Sequence, residues 1–468
     1  MLEKKKLIAY YDEQAASIEK WRKRNRLYHK TLEKYCAFVI PEGSRVLEIG
    51  SGNGDLLHAV KPSRGVGIDF SEKMVALARK KYPGLEFLCM DGEQFSLPEK
   101  FDYILLSDIF CTLVDIQAVL KCIRPLVSKH TRLVISNYNY LWTPVLKLGE
   151  RMGLKSRQPL QNWLSFRDIE LLLTLESFES IKVERKLLFP KYIPILNWVC
   201  NTFFANLPLI NHLNVIFFII ARPVEKVADE FTVSIVIPAR NEEGNIENAI
   251  LRIPEFGRHQ EFIFVEGNSK DNTMEAMLRV KEKYPGHDIK IIKQTGKGKG
   301  NAVREGFEMA TGDILMILDA DLTTPPEDMP KFYDAIARNH GEFINGCRLV
   351  YPMEKQAMRF LNLLGNTFFG WLFTYLLGQR LKDTLCGTKV LFREDYLKIK
   401  TNRNYFGDFD PFGDFDLLFG ASKLNLKIVE VIVRYRDREY GTTQISRFKH
   451  GWLLLKMCFF AAFKLKFK

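Results

Sequence analysis

Between residues 46 and 222, short apolar runs alternate with stretches of helical periodicity. RVLEIG, GVGID, FDYILLSD, TRLVISN, IKVERKLL and VIFFIIA each read as a strand. Strand and helix in turn predict a doubly wound sheet with helices over both faces. The stretch EKWRKRNRLYHKTLEKY ahead of them predicts capping helices, and Pro41-Glu42-Gly43 turns the chain into the first strand. ARPVEKVADE then interrupts the pattern, and a second alternation begins with TVSIVIPARNE, EFIFVEGNS, DIKIIKQ and DILMILDAD. Internal repeats and low-complexity tracts are absent from the sequence. The expected fold class is α/β in two domains, residues 1–225 and 226–468.

Two apolar segments, residues 192–220 and 360–379, reach about the length of a membrane-spanning helix without a Lys, Arg, Asp or Glu. The first is broken by Pro194 and Pro208 and carries Asn197, Asn201, Asn206, Asn211 and Asn214, whose amides are costly in hydrocarbon. It reads as buried or as lying at a membrane edge. The second carries Asn362, Gly365, Asn366 and Gly370, and is expected to lie on a bilayer rather than cross it. The last residues, GWLLLKMCFFAAFKLKFK, combine aromatics with Lys456, Lys464, Lys466 and Lys468, a composition that suits anionic headgroups. A packed terminal helix is the alternative.

Composition changes the picture in three places. A chain of 468 residues, 47% hydrophobic, is long enough for two cores. Its net charge of +12 implies an anionic partner, whether nucleic acid, a phosphate-bearing substrate or an acidic membrane surface. The 8 cysteines include no C-x-x-C pair and no zinc spacing, which argues against a disulfide framework or structural zinc and for a reducing, cytosolic setting. The opening residues lack the apolar stretch of a secretory signal, so export is not expected.

Glu48-x-Gly50-x-Gly52-x-Gly54 follows a strand and precedes a helix, where missing side chains let backbone approach a ligand closely. Asp69 closes the next strand about twenty residues on, the position from which a carboxylate accepts the hydroxyls of a ribose. The spacing differs from the G-x-G-x-x-G of a pyrophosphate binder, which favours a donor without a diphosphate. These residues resemble class I S-adenosylmethionine-dependent methyltransferases, over residues 28–223. The resemblance implies S-adenosyl-L-methionine as cofactor, with Glu48, Gly50, Gly52 and Gly54 along its methionine end, Asp69 on the ribose and Asp91 on the adenine amino group. Ser107 and Asp108 would lie beside the transferred methyl. No residue is marked as the base a hydroxyl acceptor needs. His29, beside Trp21 and Tyr28, is a candidate that competes with a plain packing and solvated face.

Downstream, ILMILDAD is an apolar strand ending in Asp319 and Asp321, two hard oxygen ligands suited to Mg2+ or Mn2+. VSIVIPARNEEGNI presents Pro238, Arg240 and Glu242 at one strand end, and EFIFVEGNS presents Glu266 at the next. Between them and the acids lies Gly296-Lys297-Gly298-Lys299-Gly300, flexible and basic. Together these motifs resemble the inverting family 2 glycosyltransferases of the GT-A fold, over residues 231–451, and within them the polyprenyl-phosphate (dolichyl-phosphate) hexose synthases. The resemblance implies that Pro238, Arg240, Glu242, Glu266 and Lys297 bind the nucleotide sugar, that Asp319 and Asp321 hold the metal, and that Arg438 clamps the diphosphate. Thr323 stands where relatives place a glutamine. Glu266-Gly267 replaces the usual paired aspartates and leaves the base open between uracil and guanine, while Gln444 stands near Arg438 in place of a lysine.

The acceptor divides the readings. A hydroxyl needs a carboxylate base, for which Asp414 or Asp416 in FGDFDLLFG matches the family position. A phosphate is already ionised and needs cations to hold it. Arg348 and Arg359 can supply them, with Asn362 one turn on, and the resemblance implies that Lys389, in the turn Gly387-Thr388-Lys389, flanks the acceptor. The adjoining apolar segment favours a lipid phosphate. The expected protein is a bifunctional enzyme on the cytoplasmic face of a membrane. It would move a hexose from a nucleotide diphosphate to a polyprenyl phosphate and methylate in the same glycan or lipid pathway. One alternative is sugar-to-hydroxyl transfer in polysaccharide synthesis; the other is a nucleic-acid-binding methyltransferase with a noncatalytic second domain, for which no stacking platform is evident. Nucleic acid is not the expected partner.

Overall fold

The computed structural model describes residues 2–153, 162, 164–225, 230–350, 360–403, 413–436, 438, 440 and 447–467. The chain divides into two compact units, Met1–Glu225 with Phe467, and Lys226–Lys466 with Lys468.

Seven strands form the sheet of the first unit: β1 (Arg45–Ile49), β2 (Arg64–Asp69), β3 (Glu86–Cys89), β4 (Tyr103–Ser107), β5 (Arg132–Tyr138), β6 (Phe178–Lys186) and β7 (Ile216–Pro223), in the order β3-β2-β1-β4-β5-β7-β6. β3, β2, β1, β4 and β5 are parallel. β7 runs antiparallel between β5 and β6. Parallel strands covered on both faces must be apolar throughout, and Val46, Leu47, Ile49, Ile104, Leu105 and Leu106 are fully buried. β3 escapes the sequence pattern because its four residues, EFLC, give too short a run to register. Strand order reverses at β1, so Gly50, Asp69, Ser107 and Tyr138 all come off carboxyl ends along one edge.

The second unit repeats the principle with β8 (Thr232–Ala239), β9 (His259–Glu266), β10 (Asp288–Lys293), β11 (Ile314–Ile317), β12 (Phe343–Cys347), β13 (Lys389–Phe392) and β14 (Ile428–Ile432), ordered β10-β9-β8-β11-β13-β12-β14. β8 to β11 are parallel, whereas β13 is antiparallel to both β11 and β12. β14 is parallel to β12. That single reversal puts the amino end of β13 at the same edge as the carboxyl ends of β8, β9, β11, β12 and β14. Residues far apart in sequence therefore meet there: Glu242, Glu266, Asp319, Arg348, Lys389 and Arg438.

The segment at residues 192–220 is not one helix. It contains the helix Leu196–Thr202, two short 3-10 turns and the first half of β7, whose Ile216, Phe218, Ile219 and Ile220 lie in the core. The helix Phe360–Leu377 packs Phe373 against Phe415 and Phe419, with ring centroids 4.4 and 4.9 Å apart, and leaves Phe368 and Trp371 exposed. The helix Arg447–Leu465 likewise buries Leu454, Met457, Cys458 and Ala461 and exposes Trp452, Phe459 and Phe463. Among the described residues no helix is long and apolar enough to cross a membrane.

Candidate active sites

In the second unit, the chain leaves the buried strand β11 through Leu318 and delivers Asp319 to the sheet edge. Its carboxylate pairs with the Lys299 ammonium at 2.5 Å. Lys299 opens the helix Lys299–Met309, which begins after Gly298 at φ 86°, a backbone state that glycine adopts without strain. That turn swings Lys299 inward and leaves Lys297, the lysine singled out in the sequence, exposed. Burial pushes the Asp319 carboxyl up, but the neighbouring Lys299, with Lys389 and Arg348 further off, outweighs it and holds the group below the usual range. Burial works against the Lys299 charge, and Asp319 reverses this, raising its pKa.

Asp321 accepts from the Thr323 hydroxyl at 2.8 Å through one oxygen and from Arg438 at 2.6 Å through the other. Arg438 also reaches Glu242 at 3.0 Å, bridging the two carboxylates. Burial raises the Glu242 carboxyl to about 7, against the opposing effect of Arg438. Glu266 ends β9 buried and accepts from the Ser269 backbone N–H at 2.5 Å. Pro238 is half-buried in β8, and Arg240 is exposed beyond it. Gly387 is required by close approach: a Cβ there would sit 2.0 Å from Asp319 Oδ2 and 2.3 Å from Lys299 Nζ.

The fold separates the two acids of FGDFDLLFG. Asp414, at the start of the helix Asp414–Lys423, lies 3.5 Å from the Lys389 ammonium on the Asp319 side. Asp416 instead pairs with Arg403 at 2.8 Å. Lys389 is fully buried and donates to the Cys386 carbonyl. Arg348 is buried too, gripping Asp383 through Nε at 2.7 Å and Nη2 at 2.8 Å, with its guanidinium 5.0 Å from the centre of the Tyr435 ring. It is thus half committed to holding β12 onto the loop before β13, a role that the sequence did not reveal. Arg359 lies outside the described residues, as do Gln444 and the side chain of Asn362, which stands in the first turn of Phe360–Leu377.

In the first unit, Gly50, Gly52 and Gly54 adopt φ of 75°, 50° and 80°. A Cβ on Gly50 would strike Ile109 at 2.8 Å and one on Gly54 would strike Phe87 at 2.6 Å, while on Gly52 it would meet open space. Asp69 binds the glycine turn back to β2, accepting from the Gly52 N–H and the Ser71 N–H, both at 2.9 Å. Glu48 is buried with Oε2 unpartnered, and burial pushes its carboxyl up to about 8. Asp91 pairs with Lys4, and the two line a cleft together with Gly50, Asp69 and Ile109. Ser107 Oγ lies 3.1 Å from Ser136 Oγ. Asp108, at φ 56°, accepts from Tyr28 at 2.5 Å and Ser136 at 2.9 Å. His29 turns to Arg22, 3.3 Å away, and burial first and Arg22 second depress its pKa to about 3, leaving it neutral.

Both halves are thus α/β folds whose charged residues gather at a nucleotide-type sheet edge. Residues 20–183 match the methyltransferase domain family and residues 234–399 match glycosyl transferase family 2. The chain joins a methyltransferase domain to a family 2 glycosyltransferase domain. The dolichol-phosphate mannosyltransferase of Pyrococcus furiosus is 39% identical over 121 residues, 25% of this chain and 33% of that protein. The undecaprenyl-phosphate 4-deoxy-4-formamido-L-arabinose transferase of Pectobacterium carotovorum is 26% identical over 221 residues, 46% of this chain and 63% of that protein. The chain therefore spans less than two thirds of the length of the curated relatives it matches. A solved SAM-dependent methyltransferase from Thermotoga maritima, described as a possible histamine N-methyltransferase, aligns with 47% of this chain and all of its own at 19% identity and a TM-score of 0.37.

Proposed function

We propose that the second unit transfers a hexose from a nucleotide diphosphate sugar to a polyprenyl phosphate, and that the first transfers methyl groups from S-adenosyl-L-methionine in the same glycan or lipid pathway. One observation carries the reading: Asp319 and Asp321 stand at one strand edge with Lys299, Arg438 and Lys389 gathered around them. The donor set suits a hard divalent cation, Mg2+ or Mn2+. No cluster of three candidate ligands exists among the described residues, so the diphosphate itself would complete the coordination. When bound, the ion supplies charge neutralisation for the departing nucleoside diphosphate. The chain's own groups do the rest. Lys299 and Arg438 are held by the same acids and are placed to turn onto phosphate oxygens. Pro238, Arg240, Glu242 and Glu266 would receive the nucleoside at the ends of β8 and β9.

The cations favour an anionic acceptor. Lys389 and Arg348 would steady a phosphate against its own repulsion, joined by Arg359, Asn362 and the exposed aromatic edges of the two long helices at the surface of a membrane. A second reading, transfer to a sugar hydroxyl, draws on Asp414, the buried carboxylate that faces the site. Asp414→Asn separates the two: a polyprenyl phosphate acceptor should keep kcat within about tenfold of the parent, whereas a hydroxyl acceptor should lose about a hundredfold or more with its base.

In the first unit, the open space at Gly52 and the unpartnered Glu48 oxygen suit the methionine end of the cofactor, whose ammonium would ionise Glu48. Asp69 would take the ribose and Asp91 the adenine, with Lys4 displaced. Asp108 and Ser107 would orient the acceptor, Asp108 receiving its proton where the acceptor is a hydroxyl.

A further inference from the structure

The loop between β6 and β7 is built inside out. A water-facing loop turns its amides outward and its apolar side chains in. Here the amides face inward and serve the loop's own backbone: Asn197 donates to the Phe189 and Lys191 carbonyls, Asn201 to that of Phe189, Asn206 to that of Thr202 and Asn214 to that of Ala205, at 2.7 to 3.3 Å. Ile195, Trp198 and Leu209 project outward instead, 82%, 59% and 84% exposed. Four of the five asparagines of this loop thus donate within the protein, while the Oδ1 atoms of Asn211 and Asn214 are buried without a hydrogen-bond partner, so the internal bonds lower most of the cost of an apolar environment without removing it.

A second element is bonded to this loop. Asn139 donates to the carbonyls of His212 and Asn214 at 2.7 and 2.9 Å, and Trp142 Nε1 to that of Leu213 at 2.7 Å, which ties the loop to the helix Thr143–Arg151. That helix buries none of its residues, and Val145, Leu148 and Met152 form an exposed apolar row along it. The charge of the face is predominantly positive. Residues 187–215 contain no Asp or Glu, and exposed Lys147, Arg151 and Lys191 stand around the apolar surface with Glu150 as the single acid of residues 139–153.

We propose that this face of the first unit docks on an anionic bilayer surface, lying in the headgroup region rather than spanning it. Apolar side chains ringed by cations match that boundary, and the irregular backbone, bonded internally, tolerates it. Tyr138, next to Asn139, stacks on Tyr28 at 5.2 Å, and Tyr28 bonds Asp108, so docking brings the Asp108 edge to headgroup level. The methyl acceptor is then a nucleophile carried by an amphiphile, a consequence that rests on the methyl-transfer reading, whereas the docking itself does not.

Hydrogen exchange followed by mass spectrometry on the full chain tests it, with phosphatidylcholine vesicles with and without phosphatidylglycerol. Peptides from residues 139–153 and 187–215 should slow at least about fivefold with the anionic vesicles alone, and peptides from residues 447–465 report the second unit separately. Paired Trp198→Asp and Leu209→Asp should abolish the slowing. Lys147→Glu with Lys191→Glu, two surface changes that leave the packing untouched, should weaken docking about fivefold per lysine. Exchange that ignores vesicles, that slows equally on neutral ones, or that slows without lipid as protein concentration rises, the mark of a second copy, would each overturn the proposal.

Discussion

Replacing Lys299 by Met removes the ammonium from Asp319 and leaves the rest of the edge in place. The pair is close, 2.5 Å, and about a quarter of each side chain is exposed. Removing one partner of a buried pair costs about 3–5 kcal/mol, and partial exposure puts this one near 3 kcal/mol. For a unit of this size that lowers Tm by about 6–12 °C. A divalent cation reverses the loss, because in the parent the ion must first displace Lys299, whereas in Lys299→Met the acid is already free. Mn2+ affinity without nucleotide should therefore rise by up to about a hundredfold, 3 kcal/mol being roughly two decades. Differential scanning fluorimetry across a Mn2+ series reads both effects, with Lys299→Arg as the charge-retaining control. An unchanged Tm, or equal Mn2+ increments in parent and variant, would refute the competition.

Glu48 predicts a pH dependence in the other unit. Its folded carboxyl, raised to about 8 by burial, stays protonated at pH 7 where an unfolded glutamate is ionised, so it costs stability progressively between pH 4.5 and 8. A ligand ammonium favours the ionised form, so S-adenosyl-L-methionine affinity should climb toward tenfold per unit below pH 8 with proton release, measured by calorimetry in buffers of different ionisation enthalpy; Glu48→Gln should abolish the slope. Glu242, raised to about 7, gives the second unit a similar penalty, and Glu242→Gln should gain stability over the parent between pH 4.5 and 7 in urea melts. Arg348→Lys keeps the charge but breaks the two-pronged grip on Asp383, and should cost about 2–3 kcal/mol by the same melts.

The legible features were those written in contiguous residues. ILMIL announces a buried strand, so the acids after it had to surface at its end; the same logic placed Glu48 to Gly54. Lys299 was missed because GKGKG offers two equivalent lysines, and only the turn at Gly298 decides which points inward. The Arg348–Asp383 grip joins residues brought together by the antiparallel entry of β13, and pairing between distant loops leaves no local signal. The asparagines of residues 197–214 say in the sequence only that the segment is costly to place in hydrocarbon, since a sequence gives amide identity but not direction; the backbone carbonyls that four of them satisfy exist only once the loop has folded.

The central proposal is that a sugar moves to a lipid phosphate under control of Asp319 and Asp321. Purified protein with Mn2+, polyprenyl phosphate and a panel of UDP- and GDP-sugars, analysed by mass spectrometry of the lipid extract, answers directly. One donor should yield a hexosyl polyprenyl phosphate whose formation stops with a chelator and falls at least about a thousandfold in Asp319→Asn. No glycolipid from any donor, or a product indifferent to Asp319→Asn, would contradict it.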